Sequence, residues 1–273
     1  MLILFDVGGT NTRIAVSHDG TALDHTKIVP TSPLYADGLK HLQTLAEELA
    51  AGGTITAVSG VLAGSFDRNH DALLNGENIS DWVGKPIRAD LERMFGVPVT
   101  LENDAGAACL GEALYGAGKG HEIVAYLTVS TGIGGSRVVG GRIDASAIGF
   151  EPGNQVIDAG RGFIPGWPVH RLMDVSGKAL EKIFQKHPAE IVDAGVWERV
   201  ADVLAIGVNN TIVYWSPDII VIGGSVMASI PLDYVEERVR DIRRGFPKSP
   251  PLARAALGDT AGLWGALARV RQT

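Results

Sequence analysis

The chain has 273 residues and 45% of them are apolar, which is enough to bury one large core or two smaller ones. Its formal net charge is −7 and its basic residues are scattered, which argues against nucleic-acid binding. The single cysteine excludes an internal disulfide and a cysteine-rich structural zinc site. The opening residues MLILFDVGG contain no basic region, and their apolar run is too short for a signal peptide or a membrane span. We therefore expect a cytoplasmic protein with no nucleic-acid or membrane partner and no structural zinc.

The first part of the chain alternates strand patterns with helix patterns. Residues 2–29 contain three apolar runs, and Asp19-Gly20 between the last two is typical of a two-residue hairpin. Three antiparallel strands are therefore predicted there. Apolar residues at helical spacing, followed by glycines or opened by a proline, predict helices further along. The predicted helices span residues 39–50, 86–96 and 105–116. Predicted strands in residues 54–65 and 97–104 lie between them.

A similar pattern then appears again. Residues 122–144 give a strand, a glycine loop, a second strand, a Gly-Gly turn and a third strand. This repetition predicts two related lobes, each opening with a strand–loop–strand unit whose backbone N–H groups face a phosphate. Strands alternating with helices indicate the α/β class. The later predicted elements are a helix over 196–215, a strand over 217–225, and helices over 235–244 and 260–270.

The segment from Asp6 to Arg13 combines an acid with two consecutive glycines. Glycines let the backbone approach an anion, and their N–H groups form a concave binding surface. Asp6 is suited to hold Mg²⁺ through water, since magnesium keeps much of its hydration shell. An ordinary hairpin turn is the alternative. Two better-known phosphate motifs are absent, because Gly118-Lys119 is followed by glycine and no complete G-x-G-x-x-G follows a strand.

Asn103 and Asp104 stand where a predicted strand passes into a predicted helix. A simple N-cap by Asp104 is one interpretation. A functional role is favoured by the paired polar residues, by the small residues that follow, and by the lack of a capping-box Glu or Gln. Two further glycine loops, residues 130–135 and 223–225, are suited to bind phosphate and to end a ligand-binding strand. Each loop alone is compatible with a turn, but their joint occurrence favours a site.

In this order, these segments resemble the ROK family (repressors, open reading frames and kinases). The resemblance implies a two-lobed, actin-like (ribonuclease H-like) ATPase fold, with a nucleotide cleft between lobes formed by residues 1–103 and 104–273. It also implies Mg²⁺-dependent transfer of the ATP γ-phosphate to a hydroxyl of a hexose or an N-acetylhexosamine. We expect a homodimer. The matching segments are DVGGTNTRIAV, VPVTLENDAGAACLGEALYG, LTVSTGIGG, GFEPGN, PDIIVIGGS and GDTAGLWGALA.

The resemblance assigns roles to individual residues. Asp104 matches the catalytic base, and Asp6 is the expected magnesium residue. The expected nucleotide contacts, in the two phosphate loops and the adenosine-side turn, are Gly8, Gly9, Thr10, Asn11, Thr131, Gly132, Gly134, Gly223 and Gly224. The expected sugar contacts are Asn78, Asn103, Asp104, Glu151 and Asn154.

Two departures from the family pattern bear on function. Asn154 stands where many members have a zinc-binding His, and the accompanying cysteines are absent, which implies a zinc-free form. Leu172, with Asp174 nearby, stands where the family has a sugar-binding Glu. A non-catalytic sugar-binding protein is therefore the main alternative to a kinase. A repressor is disfavoured, because the phosphate loop at Asp6 leaves no room for a DNA-binding module, and a pantothenate kinase is disfavoured by ENDAG and GFEPG. The sugar, its reacting hydroxyl and the use of polyphosphate instead of ATP stay open.

Overall fold

The computed structural model describes residues 1–76, 78–160, 162, 164, 166–246 and 248–272. Groups of strands alternate with helices along the chain, and some of the connections contain short 3₁₀ turns. The strands are β1 (Leu2–Val7), β2 (Asn11–Ser17), β3 (His25–Pro30), β4 (Ala57–Leu62), β5 (Ser65–Phe66), β6 (Leu73–Asn75), β7 (Val99–Asn103), β8 (Ile123–Val129), β9 (Ile133–Val139), β10 (Arg142–Ile143), β11 (Ile219–Gly223) and β12 (Leu252–Arg254). The α-helices are α1 (Tyr35–Ala50), α2 (Ile87–Phe95), α3 (Asp104–Tyr115), α4 (Gly177–Phe184), α5 (Ala194–Trp215), α6 (Leu232–Ile242) and α7 (Ala261–Val270).

The chain forms two compact units with sheets of the same design. The first unit comprises Met1–Leu114, Ala145–Gly149 and Asp259–Thr273, and the second comprises Tyr115–Asp144 and Phe150–Gly258. The first sheet has the order β3-β2-β1-β4-β7 and the second has the order β10-β9-β8-β11-β12. In each, three strands form an antiparallel meander, a fourth strand pairs in parallel with the first strand of the meander, and a fifth pairs in parallel with the fourth. The predicted duplication is therefore confirmed.

Both faces of the first sheet are covered, which explains why β1 is apolar at successive positions. Its alternate residues Ile3 and Phe5 pack with the cluster that includes α1 and α2. Leu4 points to the opposite face, where it packs with Ala107 of α3 and Leu263 of α7. Helices α3 and α7 lie so close that a Cβ on the glycine at position 265 would be 1.9 Å from the Ala107 carbonyl oxygen. This close packing fixes the start of α3, which follows β7.

The core of the second unit is built around α5. Val200, Leu204 and Val208 of this helix are fully buried, together with Ile220 of β11. Strand β11 lies between β8 and β12 and is parallel to both, so the carboxyl ends of β8 and β11 share one edge of the sheet. Within the part of the chain that the structure describes, no helix has both the length and the apolar character needed to cross a membrane.

The hairpin prediction at Asp19-Gly20 is wrong, although the two strands are antiparallel neighbours. The connection spans residues 18–24, because aspartate side chains bind the local backbone. Asp19 Oδ1 accepts from the Thr21 N–H at 2.7 Å, and Asp24 Oδ2 accepts from the His18 N–H at 2.7 Å. By contrast, Gly140 and Gly141 form the tight turn that their sequence predicts, with positive φ angles of 58° and 71°.

Candidate active site

The first glycine loop joins β1 to β2, and a threonine beyond β3 holds it in place. The Gly8 N–H donates to the Asn11 carbonyl at 3.0 Å, which closes the turn. Thr31 donates its hydroxyl to the Gly8 carbonyl at 2.8 Å and its N–H to the Thr10 carbonyl at 2.9 Å. The predicted loop residues Thr10 and Asn11 are exposed. Sequence reasoning missed Thr31, which turns the carbonyls of this loop towards the protein.

Asn78 lies directly against this loop. A Cβ at Gly9 would be 2.6 Å from Asn78 Cβ and 2.6 Å from its Nδ2, so only glycine fits at that position. Asn78 is itself exposed. The structure therefore brings together a predicted phosphate-loop residue and a predicted sugar contact that are far apart in sequence.

Asp6 lies near the end of β1, where the surroundings disfavour its charged form. Burial of the carboxylate, followed by the negative charge of Asp104, raises the pKa of Asp6 to about 7, and Arg13 on β2 acts in the opposite direction. Arg13 also donates to Asp259 at 2.9 Å. A Cβ at Gly262, at the start of α7, would be 2.5 Å from Asp6 Oδ2. Asp6 is thus enclosed by partners that sequence reasoning missed.

The junction of β7 and α3 orders Asn103 and Asp104. Asn103 Oδ1 accepts from the Gly106 N–H at 3.0 Å, which is an N-capping hydrogen bond. This bond therefore comes from Asn103 and not from Asp104, the residue for which the sequence suggested a capping role. The Asn103 amide donates to the Gly64 carbonyl at 2.8 Å and to Asp104 Oδ1 at 2.9 Å. The same Asp104 oxygen accepts from the Ala105 N–H at 2.8 Å. Asp104 is exposed and is held by its neighbours at the start of the helix.

A buried carboxylate lies beneath this junction. Glu102 is only 6% exposed, and its Oε1 accepts from the Asn103 N–H at 3.0 Å. Arg269 of α7 lies 3.3 Å from its Oε2. A Cβ at Gly106 would approach Oε1 to 3.1 Å, which explains the glycine in the first turn of α3. The sequence analysis missed Glu102, although a glutamate inside an apolar strand is a usable signal.

The second glycine loop joins β8 to β9 and lies at the N-terminus of α4. The Ser130 N–H donates to the Gly132 carbonyl at 2.8 Å. The first N–H groups of the helix, from Gly177 and Lys178, donate to the Ser130 and Thr131 carbonyls at 2.7 and 3.1 Å. Thr131 and Gly132 are exposed. The positive end of a helix dipole therefore lies beside the predicted phosphate loop, a feature that sequence reasoning missed.

The turn after β11 meets this loop. Gly224 has a φ angle of 98°, and a Cβ there would be 2.3 Å from the Val129 carbonyl oxygen, so glycine is required. Ser225 Oγ lies 3.3 Å from Ser130 Oγ. Gly223 and Gly134 also lie at this edge of the sheet, each paired with Thr128 of β8. All five nucleotide residues predicted in the second unit, namely Thr131, Gly132, Gly134, Gly223 and Gly224, are thus brought together.

Glu151 and Asn154 lie on one exposed turn of the second unit. The Asn154 N–H donates to the Glu151 carbonyl at 3.0 Å, and its amide nitrogen is 3.4 Å from Glu151 Oε2. Arg171 donates to Asn154 Oδ1 at 3.1 Å. Leu172 is fully buried, with its Cδ2 2.7 Å from where a Cβ on Gly207 would lie, so it is a core residue with no ligand-facing group.

Asp174 does not replace the missing carboxylate. Its Oδ2 accepts from the His170 and Arg171 N–H groups, both at 2.8 Å, and thereby caps a 3₁₀ turn. In the described ranges of the chain, no three side chains of His, Cys, Asp or Glu form a group that is able to hold a metal ion.

Two α/β units with the same strand order, each with a glycine loop after its first strand, define the actin-like ATPase fold that the sequence predicted. The ROK family model matches residues 3–153 and 159–273, so the chain belongs to the ROK family. The structure is similar to that of a ROK hexokinase from Thermus thermophilus, with a TM-score of 0.83 and 32% identity over 100% of this chain and 99% of the other.

Two further similarities extend over nearly the whole chain. A ROK family glucokinase from Streptomyces griseus, solved in complex with glucose and AMPPNP, has a TM-score of 0.80 and 25% identity, over 100% of this chain and 99% of that one. A glucokinase from Thermotoga maritima is 29% identical over 99% of this chain and 97% of its own. The predicted family membership is confirmed.

Proposed function

We propose that this protein transfers the γ-phosphate of ATP to a hydroxyl group of a hexose or an N-acetylhexosamine. The observation that carries the proposal is the exposed Asp104 carboxylate, held by Asn103 at the start of α3 in a chain similar throughout to sugar kinases. Asp104 is the base. It accepts the proton of the sugar hydroxyl as the hydroxyl oxygen attacks the γ-phosphorus, and ADP leaves.

Each unit offers backbone groups that suit a nucleotide. In the first unit these are the N–H groups of Gly8, Gly9, Thr10 and Asn11, whose loop Thr31 holds. In the second unit the loop that contains Thr131, Gly132 and Gly134 binds phosphate beside the N-terminus of α4, and Gly223 and Gly224 bind on the adenosine side. Such preorganised dipoles stabilise phosphate charge without reorganisation during the reaction.

Magnesium fits the residues that are present. Burial of the carboxylate, and after it the negative charge of Asp104, raise the pKa of Asp6. A divalent cation beside Asp6 would stabilise its ionised form against both effects. One or two carboxylates with phosphate oxygens are the usual environment of Mg²⁺. Asp6 would hold the ion through water, and the ion would neutralise charge on the transferred phosphate.

The sugar is bound by Asn78, Asn103, Asp104 and Glu151, with Asn154 beside Glu151. These side chains offer both donors and acceptors, which suits hydroxyl groups and rejects analogues that lack one. Leu172 offers no polar group to this set, and its side chain is buried in the core of the second unit. A non-catalytic sugar-binding protein is the second candidate, and the loss of this one carboxylate is the observation that favours it.

The test is a coupled assay of ADP formation with Mg²⁺-ATP and a panel of hexoses and N-acetylhexosamines. We expect ADP formation that depends on one or a few of these sugars and on magnesium, with a sugar phosphate identified by mass spectrometry. Sugar binding in calorimetry without any ADP formation would favour the non-catalytic candidate. Polyphosphate is tested in parallel as an alternative donor, with the sugar phosphate detected by mass spectrometry because that reaction forms no ADP.

A further inference from the structure

Glu151 and Asn154 face the same side of a short 3₁₀ turn. The turn spans Pro152–Asn154, with Glu151 immediately before it, and the Asn154 N–H closes it on the Glu151 carbonyl at 3.0 Å. Side chains three residues apart eclipse each other in a 3₁₀ turn. The turn is anchored in the unit, because Gly153 lies so close to Ile133 that a Cβ there would be 2.1 Å from the Ile133 carbonyl oxygen. The geometry of the turn therefore holds the side chains of Glu151 and Asn154 next to each other.

Arg171 is brought to this turn by backbone pairing. It forms an antiparallel bridge with Val156, and the next residue donates its N–H to the Gln155 carbonyl at 3.1 Å. That next residue, Leu172, is fixed in the core. From this position Arg171 Nη1 donates to Asn154 Oδ1 at 3.1 Å, while its own side chain stays exposed.

The chemistry of the three side chains allows one orientation of the amide. A guanidinium group only donates and an ionised carboxylate only accepts, so Asn154 must present its oxygen to Arg171 and its nitrogen to Glu151. A flipped amide would place two donors together and two acceptors together. The bond from Arg171 is charge-assisted and therefore the stronger of the two. Arg171 thus determines which way Asn154 faces.

We propose that Arg171 is a positioning residue that acts through Asn154 to hold the Glu151 carboxylate ready to accept hydrogen bonds from the sugar. This inference rests on the proposed function, because it assigns Glu151 to the sugar. It also predicts that the main role of Asn154 is to position the Glu151 carboxylate and not to bind the sugar, since Asn154 Oδ1 already accepts a hydrogen bond from Arg171.

The test is a double-mutant cycle on steady-state kinetics with the variants Arg171→Ala, Asn154→Leu and the combination of both. Each single change should raise the KM for the sugar by about tenfold, the loss expected for a hydrogen bond to a charged group. The KM for ATP should change far less than the KM for the sugar, and the melting temperature should stay unchanged. The side chains of Arg171 and Asn154 are exposed, and the bonds that the substitutions remove join them to each other and to Glu151. Arg240→Ala, another exposed arginine of the second unit, is the matched control.

The combined variant decides whether Arg171 acts through Asn154. If it does, the combination should be no worse than either single change. Additive losses would overturn the proposal, since Arg171 would then act on the sugar independently. An unchanged sugar KM in Arg171→Ala would overturn it too, as would a fall confined to kcat or to ATP affinity.

A second measurement needs no turnover. The side-chain amide signals of Asn154 in ¹⁵N–¹H spectra, assigned by their loss in Asn154→Leu, should move in Arg171→Ala and stay in place in Arg240→Ala. If they do not respond, the inference fails whatever the activity. If they respond while the wild type phosphorylates no sugar, the proposed function fails and the orienting role of Arg171 stands.

Discussion

Replacing Asp104 by asparagine should separate catalysis from folding. The substitution keeps the size and the polarity of the side chain but removes the charge that accepts a proton. Loss of a general base lowers turnover by about 10²–10⁴-fold. We expect kcat to fall by at least that factor, with little change in the KM for ATP, because the nucleotide contacts that we propose are made by other residues.

The cost in stability can be estimated from the contacts at the helix start. The N-capping bond to Gly106 comes from Asn103, so the substitution at position 104 leaves it intact. What is lost is a favourable charge in the first turn of α3, worth roughly 0.3–1 kcal/mol, and relief of the repulsion with Asp6 offsets part of that. The free energy of unfolding should therefore change by less than about 1 kcal/mol.

Asn103→Ala is the control, because it should lower stability as well as activity. It removes the bond to Gly106 and the bond to the Gly64 carbonyl, and loss of a cap alone costs about 0.5–2 kcal/mol. This variant should lose both stability and activity. Thermal unfolding of both variants, with kcat at saturating ATP and sugar, makes the comparison. Near-wild-type kcat in Asp104→Asn would refute the assignment of the base.

Two further substitutions test other parts of the structure. Thr31→Val removes the hydroxyl that donates to the Gly8 carbonyl at 2.8 Å, so the KM for ATP should rise several-fold while the KM for the sugar stays constant, and equal changes in both would contradict the role of Thr31 in the loop. Gly207→Ala should destabilise the protein by about 1–3 kcal/mol in thermal unfolding, despite the better helix propensity of alanine, because the new Cβ would lie 2.7 Å from Leu172 Cδ2. Adding Leu172→Ala should recover part of the loss, and a stabilised Gly207→Ala would show that Leu172 lies elsewhere.

The sequence predicts the parts of this fold whose signals are local. Apolar runs separated by glycine pairs are enough to predict both meanders, and the tight turn at Gly140-Gly141 follows from the dipeptide itself. Asp19-Gly20 carries the same signal, yet the neighbouring Asp24 side chain binds the His18 N–H and opens a wider loop. A competing side-chain acceptor cannot be recognised until the backbone is known. The three-residue strand β12 and the eight-residue helix α4 are too short to show a period.

In the candidate site, too, the sequence predicts the local motifs and misses the contacts between distant segments. The glycine loops and the Asn103-Asp104 pair are short motifs, and they are visible in the sequence. Arg13 pairs with Asp259 across 246 positions, and nothing in either neighbourhood indicates the other. Such partners emerge only when the chain brings distant segments together.

The return of α7 to the first unit has a consequence for how the protein is made. Leu4 on β1 and Val61 on β4 are covered by Leu263 and Leu267 of this helix. A ribosome therefore synthesises the second unit before it makes the helix that covers one apolar face of the first sheet. During that interval the part of this face that α7 covers stays exposed in the nascent first unit, and exposed apolar surface promotes aggregation and chaperone binding.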